Sequence, residues 1–177
     1  MRVVAGSLKG RRLQSPRGKE TRPTQDRVRE ALFSVLGRVE GARVLDLFAG
    51  SGALAIEALS RGAAAATFVD SSRPAVAAIR RNLAELELSA EVRHQTAEAF
   101  LARARREHRQ YDLVFLDPPY GTASRSRERL SAALSPVLAP QARVIAESDS
   151  RMPLALDLAL HFERRYGDTL IRIYHGS

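Results

Sequence analysis

Residues 117–120 read Asp117-Pro118-Pro119-Tyr120 and follow the apolar run Val114-Phe115-Leu116. Proline fixes φ, so the Pro118 carbonyl is held in one direction relative to the Asp117 side chain. Two oxygens arranged in this way can accept from both hydrogens of an amine on an aromatic ring. Such an amine is a poor nucleophile because its lone pair is delocalised into the ring. Holding both hydrogens favours a pyramidal nitrogen whose lone pair points at an incoming methyl. The same oxygens stabilise the positive charge that arrives on nitrogen, and alignment of the reacting atoms adds a proximity effect. Tyr120 offers a π-face on which an extruded base can stack. The chemistry these residues suggest is N-methylation of a nucleic-acid base.

A second group, Asp46-Leu47-Phe48-Ala49-Gly50-Ser51-Gly52, lies between an apolar run and a helical pattern. Glycines there let the backbone turn sharply and approach a ligand closely. Gly50-x-Gly52-x-x-Ala55, with Asp70 some twenty residues on, also fits the dinucleotide fingerprint. The loop alone therefore leaves a nicotinamide cofactor and S-adenosylmethionine both open. Asp46 favours the latter, since a carboxylate can face the ammonium of a methionine moiety and would repel a pyrophosphate. Asp70 ends an apolar strand and needs a partner; ribose hydroxyls or the next helix N-terminus can supply it. The four histidines, His94, His108, His161 and His175, lack ligand spacing, and no Gly-Lys-Ser/Thr occurs, so no metal site and no P-loop are expected.

These groups need a frame. Residues 2–14 suggest two short strands, Arg2–Ala5 and Arg11–Gln14, followed by a helix from about Thr24 to Gly37. From residue 42 strands alternate with helices: strands at Arg43–Leu47, Ala66–Asp70, Glu91–His94, Tyr111–Leu116 and Arg143–Glu147, and helices at Ala53–Ser60, Pro74–Glu87, Ala97–His108 and Glu128–Leu138. His161–Tyr166 and Thr169–His175 close the chain as a hairpin around Gly167-Asp168. Such alternation argues an α/β fold with a parallel sheet covered on both faces and an antiparallel element at its edge. The expected division is an N-terminal extension, residues 1–41, and a catalytic domain, residues 42–177.

The 177 residues include no cysteine, which excludes disulfides and thiolate metal sites, and no apolar stretch approaches the length of a membrane span. A signal-peptide h-region is missing from the first ten residues, so a cytoplasmic protein with no membrane partner is expected. Net charge is +8, and residues 1–22 carry seven bases against one acid, Glu20, a net +6. That concentration reads as a basic arm for a polyanion, with Arg11, Arg12 and Arg17 placed to meet phosphates. Ser124-Arg125-Ser126-Arg127, just past the Asp117 turn, reads either as a lid over the flipped nucleotide, with Arg125 and Arg127 contacting RNA, or as a solvated helix start.

The chain resembles the RsmD-type 16S ribosomal RNA guanine-N2 methyltransferases of bacteria. The resemblance is carried by RVVAGSLKGRRL at the N-terminus, Arg22-Pro23-Thr24-Gln25-Asp26-Arg27-Val28-Arg29-Glu30-Ala31-Leu32-Phe33, the segment 46–63, VFLDPPY (114–120) and Tyr166-Gly167-Asp168-Thr169. It implies a Rossmann-like sheet of seven strands and transfer of one methyl from S-adenosyl-L-methionine to guanine N2 near the peptidyl-tRNA site. It also implies that the substrate is 16S rRNA in the small subunit or its assembly intermediate. Carried onto this chain, Asp117, Pro118 and Tyr120 would hold the guanine. Asp46, Phe48, Ala49, Gly50, Gly52, Asp70, Ser71, Thr96 and Ala97 would surround the cofactor, with Arg22 and Thr24 near the pocket or at its entrance. Thr96 stands where the family often has Asp, so the adenine contact lacks charge assistance; Asp70 stands where Glu is frequent. A monomer is expected. Adenine-N6 methylation of DNA or RNA, and a catalytically silent ribosome-assembly factor, are the competing functions; a nicotinamide oxidoreductase lacks a visible proton donor beside the glycine loop.

Overall fold

A computed structural model describes residues 1–16, 24–118 and 123–176, with the backbone alone at 24–25 and 123–128. The elements are α1 (Thr24–Leu36), β1 (Arg43–Leu47), α2 (Ala53–Ser60), β2 (Ala65–Asp70), α3 (Arg73–Glu85), β3 (Glu91–His94), α4 (Ala97–Arg106), β4 (Tyr111–Leu116), α5 (Ala123–Leu134), β5 (Leu138–Asp149), β6 (Ala159–Tyr166) and β7 (Thr169–His175). The strands form one seven-stranded sheet in the order β3-β2-β1-β4-β5-β7-β6. β1 to β5 are mutually parallel, and β7 runs antiparallel between β5 and β6. This is the expected seven-stranded α/β sheet with its closing hairpin.

Each central strand is buried on both faces, as a covered parallel sheet requires. Val44, Phe68, Phe115 and Ile145 point to a layer built by α1, α2, α3 and the N-terminal hairpin. Leu45, Leu47, Val69, Val114, Leu116, Val144 and Ala146 point to the opposite layer, under α4 and α5. Period-two alternation then fixes a useful result. Asp46, between Leu45 and Leu47, and Asp70, two residues past Phe68, face the α1–α3 side near the carboxyl ends of their strands.

The N-terminal extension packs into that side. Val3, Leu13, Val28, Leu32, Phe33 and Leu36 join its core, and the Phe33 and Phe115 rings lie 5.9 Å apart. Glu57 of α2 is fully buried and ties the extension down. Its carboxylate accepts from the amides of Val4 (2.7 Å) and Ala5 (2.9 Å) and from Arg61 (2.9 Å), and pairs with buried Arg29 at 3.5 Å. Removing only one side of such a cluster strands a buried charge, which costs about 3–5 kcal/mol. Glu57→Gln is therefore expected to lower Tm by several degrees and to speed amide exchange at Val4 and Ala5, readable by thermal unfolding and hydrogen exchange. A variant with wild-type Tm would show that the half-exposed Asp26, 3.1 Å from Arg29, suffices as its counter-charge.

Three segments differ from the sequence reading by more than two residues at an end. The N-terminal strands reduce to a single antiparallel bridge, Arg2 to Arg12, because the Val4 and Ala5 amides turn to the Glu57 carboxylate and the Ser7 amide to Ser60 O. α5 begins at Ala123 rather than Glu128 and gives way to a 3-10 turn, Ser135–Val137, since Pro136 cannot continue the helical ladder. Ser124–Arg127 thus belongs to a helix start and not to a loop; the side chains of Arg125 and Arg127 lie outside the described residues. β5 begins five residues early, at Leu138, because a register shift absorbs Pro140 and the left-handed Gln141 (φ 61°).

Candidate functional site

The site is assembled at the carboxyl ends of β1, β2 and β4, where parallel sheets place ligands. After β1 the chain turns through Phe48, Ala49, Gly50, Ser51 and Gly52 into α2. Three bonds fix the turn: Gly52 N–H to Ala49 O (2.7 Å), Ala49 N–H to Val69 O (3.1 Å) and Gly50 N–H to Asp70 Oδ2 (2.8 Å). Asn82 of α3 donates to Ser51 O (2.9 Å) from beneath. Gly52 (φ 78°) lies against the Phe68 ring, which a Cβ would meet at 3.0 Å, whereas a Cβ on Gly50 (φ 58°) would meet nothing nearer than 4.0 Å. The first glycine lets the loop pack on the sheet; the second leaves room above it. Phe48 holds φ at 65°, a strained value for an aromatic residue, and such strain collects at ligand sites.

Asp46 is 3% exposed, and its Oδ2 accepts from Ala55 N–H (3.3 Å) in the first turn of α2. That contact does the work of a missing cap, since Gly52 provides none. Burial, opposed by that hydrogen bond and assisted by the charges of Asp117 and Asp70, pushes the Asp46 carboxyl up to about 8. Among the described residues no basic side chain pairs with it. A buried acid held near neutrality beside an open glycine turn is suited to an ammonium ligand.

Asp70 divides its oxygens between Gly50 N–H and Ser72 N–H (2.8 Å each), while Ser72 Oγ caps α3 through Ala75 N–H. The helix-cap alternative for Asp70 is thus taken by Ser72, and Asp70 is anchored with lone pairs remaining for hydroxyls. Ser71 is exposed, and its carbonyl lies 3.0 Å from His94 Nε2. Thr96 caps α4, its Oγ1 accepting from Ala99 N–H (3.2 Å); Ala97 is buried beneath it. Both lie directly after β3, beside Asp70 through the register Asp70 to His94.

Asp117 and Pro118 follow β4. Because Leu47 pairs with Leu116, Asp117 stands next across the strands from Phe48. Alternation from Phe115 turns it to the α1–α3 side, and its charge acts on Asp46. The glycine turn and the Asp117 turn therefore form one site. Pro118 is half-buried. Tyr120, Arg17 and Arg22, and the side chain of Thr24, lie outside the described residues. Arg11 and Arg12 are exposed on the hairpin, and Arg11 also donates to Glu85 O (2.5 Å). Sequence reasoning missed Glu147, the acid at the end of the RVIAE run; a fourth strand-end acid after Asp46, Asp70 and Asp117 was the available signal. No cluster of three metal-ligating side chains occurs among the described residues, and no helix among them is long and apolar enough to cross a membrane.

The family model described as Conserved hypothetical protein 95 matches residues 1–175. Ribosomal RNA small subunit methyltransferase D of Escherichia coli K12 is 37% identical over 179 residues, covering 98% of this chain and 89% of that protein. A solved Escherichia coli structure, yhhF, provisionally described as a methyltransferase, matches all of this chain and 98% of its own at 35% identity, with TM-score 0.85. At 21% identity, and so for the fold alone, the Thermus thermophilus 16S rRNA N2 G1207 methyltransferase RsmC, solved with AdoMet and guanosine, aligns with TM-score 0.70 over 91% of this chain and 45% of its own.

Proposed function

This chain belongs to the Conserved hypothetical protein 95 family, the RsmD family of methyltransferases, and from that premise we propose that it transfers a methyl group from S-adenosylmethionine to N2 of a guanine in 16S rRNA. It is an S-adenosylmethionine-dependent rRNA methyltransferase. The small-subunit rRNA substrate is supported by the name of the Escherichia coli relative; the guanine-N2 assignment rests on the resemblance of the Arg22–Phe33 and Val114–Tyr120 segments to guanine-N2 methyltransferases. The observation that carries the reading is the single site made by Asp117 and the 46–52 turn.

The described residues fit the cofactor: the open side of Gly50 gives it space and buried Asp46 gives its ammonium a partner. Bound there, S-adenosylmethionine supplies an electrophilic methyl on sulfur. Asp46 orients the methionine end, and Asp70, already pinned by two amides, accepts from ribose hydroxyls. Thr96 and Ala97 border the adenine, where the hydroxyl gives an uncharged contact. The Asp117 carboxylate and the Pro118 carbonyl accept from the two hydrogens of the base amine. They hold its lone pair toward the methyl and carry the charge that develops on nitrogen. A proton then leaves the methylated nitrogen toward Asp117 or solvent. Tyr120 would stack on the base. Exposed Arg11 and Arg12, with Arg17 and Arg22, would meet rRNA phosphates, and Arg125 and Arg127 would join them near the target. The protein would act on the small subunit or its assembly intermediate as a cytoplasmic monomer, its N-terminal extension (1–41) serving as the RNA arm of the 42–177 domain.

Incubation with labelled cofactor and unmodified small subunits, followed by nucleoside digestion, tests this. Label in N2-methylguanosine at one 16S position is expected. Label in N6-methyladenosine would overturn the base assignment, and absence of label in 16S rRNA would overturn the substrate.

A further inference from the structure

Glu147 lies beside the target-base turn, and neither the glycine loop nor the fold explains its carboxyl. β4 and β5 are parallel with Leu116 opposite Ala146, so residues 117 and 147 are the next neighbours across the pair. Alternation on β5 sends Val144 and Ala146 to the α4–α5 layer and Ile145 to the α1–α3 layer. Glu147 therefore shares its face with Ile145, the face to which Phe115 and Asp117 also turn. On its other flank its register partner is buried Ile171 of β7, which offers no charge. Among the described residues no arginine or lysine pairs with Glu147. Burial and the nearby Asp117 charge hold its carboxyl well above the ordinary carboxylate range. A half-buried acid with an apolar neighbour on one side and another acid on the other calls for an external hydrogen-bond donor.

The base edge beside the reacting amine can supply it. In guanine the carbon bearing the N2 amine is flanked by N1, which carries a hydrogen, and by N3; in adenine the carbon bearing the N6 amine is flanked by N1, which carries a lone pair, and by C5. With the amine held by Asp117 and Pro118, a base whose N1 side turns toward β5 sets N1 beside residue 147, the next position along the strand-end row. We infer that Glu147 is a specificity-determining residue, its carboxyl accepting from guanine N1–H while Asp117 holds N2, so that guanine is chosen over adenine. Against an ionised Glu147, an adenine in the same pose sets its N1 lone pair on a carboxylate oxygen, a repulsive element of the kind that enforces selection; a protonated Glu147 donates to that lone pair, so selection against adenine strengthens as pH rises through the raised Glu147 titration. This rests on the guanine-N2 reading above.

The test uses the full-length protein and small subunits reconstituted with either guanine or 2-aminopurine at the mapped position. 2-Aminopurine keeps the exocyclic amine and lacks the N1 hydrogen. Loss of a hydrogen bond to a charged or strongly polar group corresponds to roughly 10- to 100-fold in rate. Assayed above about pH 8, where Glu147 is ionised, Glu147→Ala is expected to lower kcat/KM on guanine by that factor and to leave it unchanged or raised on 2-aminopurine, so the ratio of the two substrates collapses. Glu147→Gln, whose amide oxygen still accepts, is expected to restore most of the guanine rate. Equal losses on both bases, or no loss on guanine, would overturn the inference while the parent reading stands. A wild-type protein that transfers nothing to guanine overturns the parent reading and this inference with it.

Discussion

Replacing Asp117 by alanine is expected to lower the rate of methyl transfer about 10³-fold while leaving cofactor binding intact. The magnitude follows from removing one preorganised group aimed at developing charge, which typically costs about 10²–10³-fold in kcat; Asp117 in addition orients the nucleophile. Cofactor affinity has a definite sign as well. The Asp117 charge is one of the influences that raise the Asp46 carboxyl, so its removal lets Asp46 ionise more readily. The dissociation constant for S-adenosylmethionine in Asp117→Ala should therefore be equal to or slightly tighter than wild type below pH 8. Asp117→Asn keeps an acceptor oxygen and loses the charge, so its rate should fall between the two. Single-turnover transfer from labelled cofactor, with calorimetry for binding, measures both quantities. An alanine variant within tenfold of the wild-type rate would remove Asp117 from the chemistry.

Much of this site could be read before any coordinates. Acids at the ends of apolar runs, glycines between a strand and a helix, and a proline-stiffened turn are local signals, and each depends on residues close in sequence. What could not be read is what the strands bring together. Glu147 gains meaning only when β4 and β5 pair in register, a contact between residues some thirty positions apart. Glu57 is similar. In the apolar helix ALAIEALS it is the lone charge, yet its partners Val4, Ala5 and Arg29 belong to the extension. The start of β5 was misjudged because tertiary packing overrode local preference. The stretch before Arg143 carries a proline and a left-handed residue and still joins the sheet through a bulge, helped by Arg143 reaching the carbonyls of Leu36 and Arg38 at the end of α1. Ser124 and Ser126 are weak helix formers, and α5 nevertheless begins before them.

Asp46 gives the second large effect, and here activity and stability should move in opposite directions. In the folded protein its carboxyl sits at about 8 against an ordinary value of 3.8. Between those limits the folded state keeps a proton that the unfolded chain has released. Stability contributed by this residue is therefore complete below about pH 4 and is lost as pH rises toward 8. Asp46→Asn removes the liability while its side-chain oxygen can still accept from Ala55 N–H. The variant should have a higher Tm than wild type at pH 8, by several degrees at roughly 2–4 °C per kcal/mol for a chain of this size, and the gap should close toward pH 4. Cofactor binding should suffer in the same variant, by about 10- to 100-fold, because the ammonium loses its charged partner. The wild-type protein must ionise Asp46 to bind, so affinity should rise from pH 6 to about 8. About one proton should be released per cofactor at pH 7, visible by calorimetry in buffers of different ionisation heat, and Asp46→Asn should release almost none. Above pH 8 the cofactor's own amine begins to lose its proton, and affinity should turn over. A flat pH profile in the wild-type protein, or a destabilised Asp46→Asn at pH 8, would show that the buried carboxyl is already charged and satisfied without the ligand.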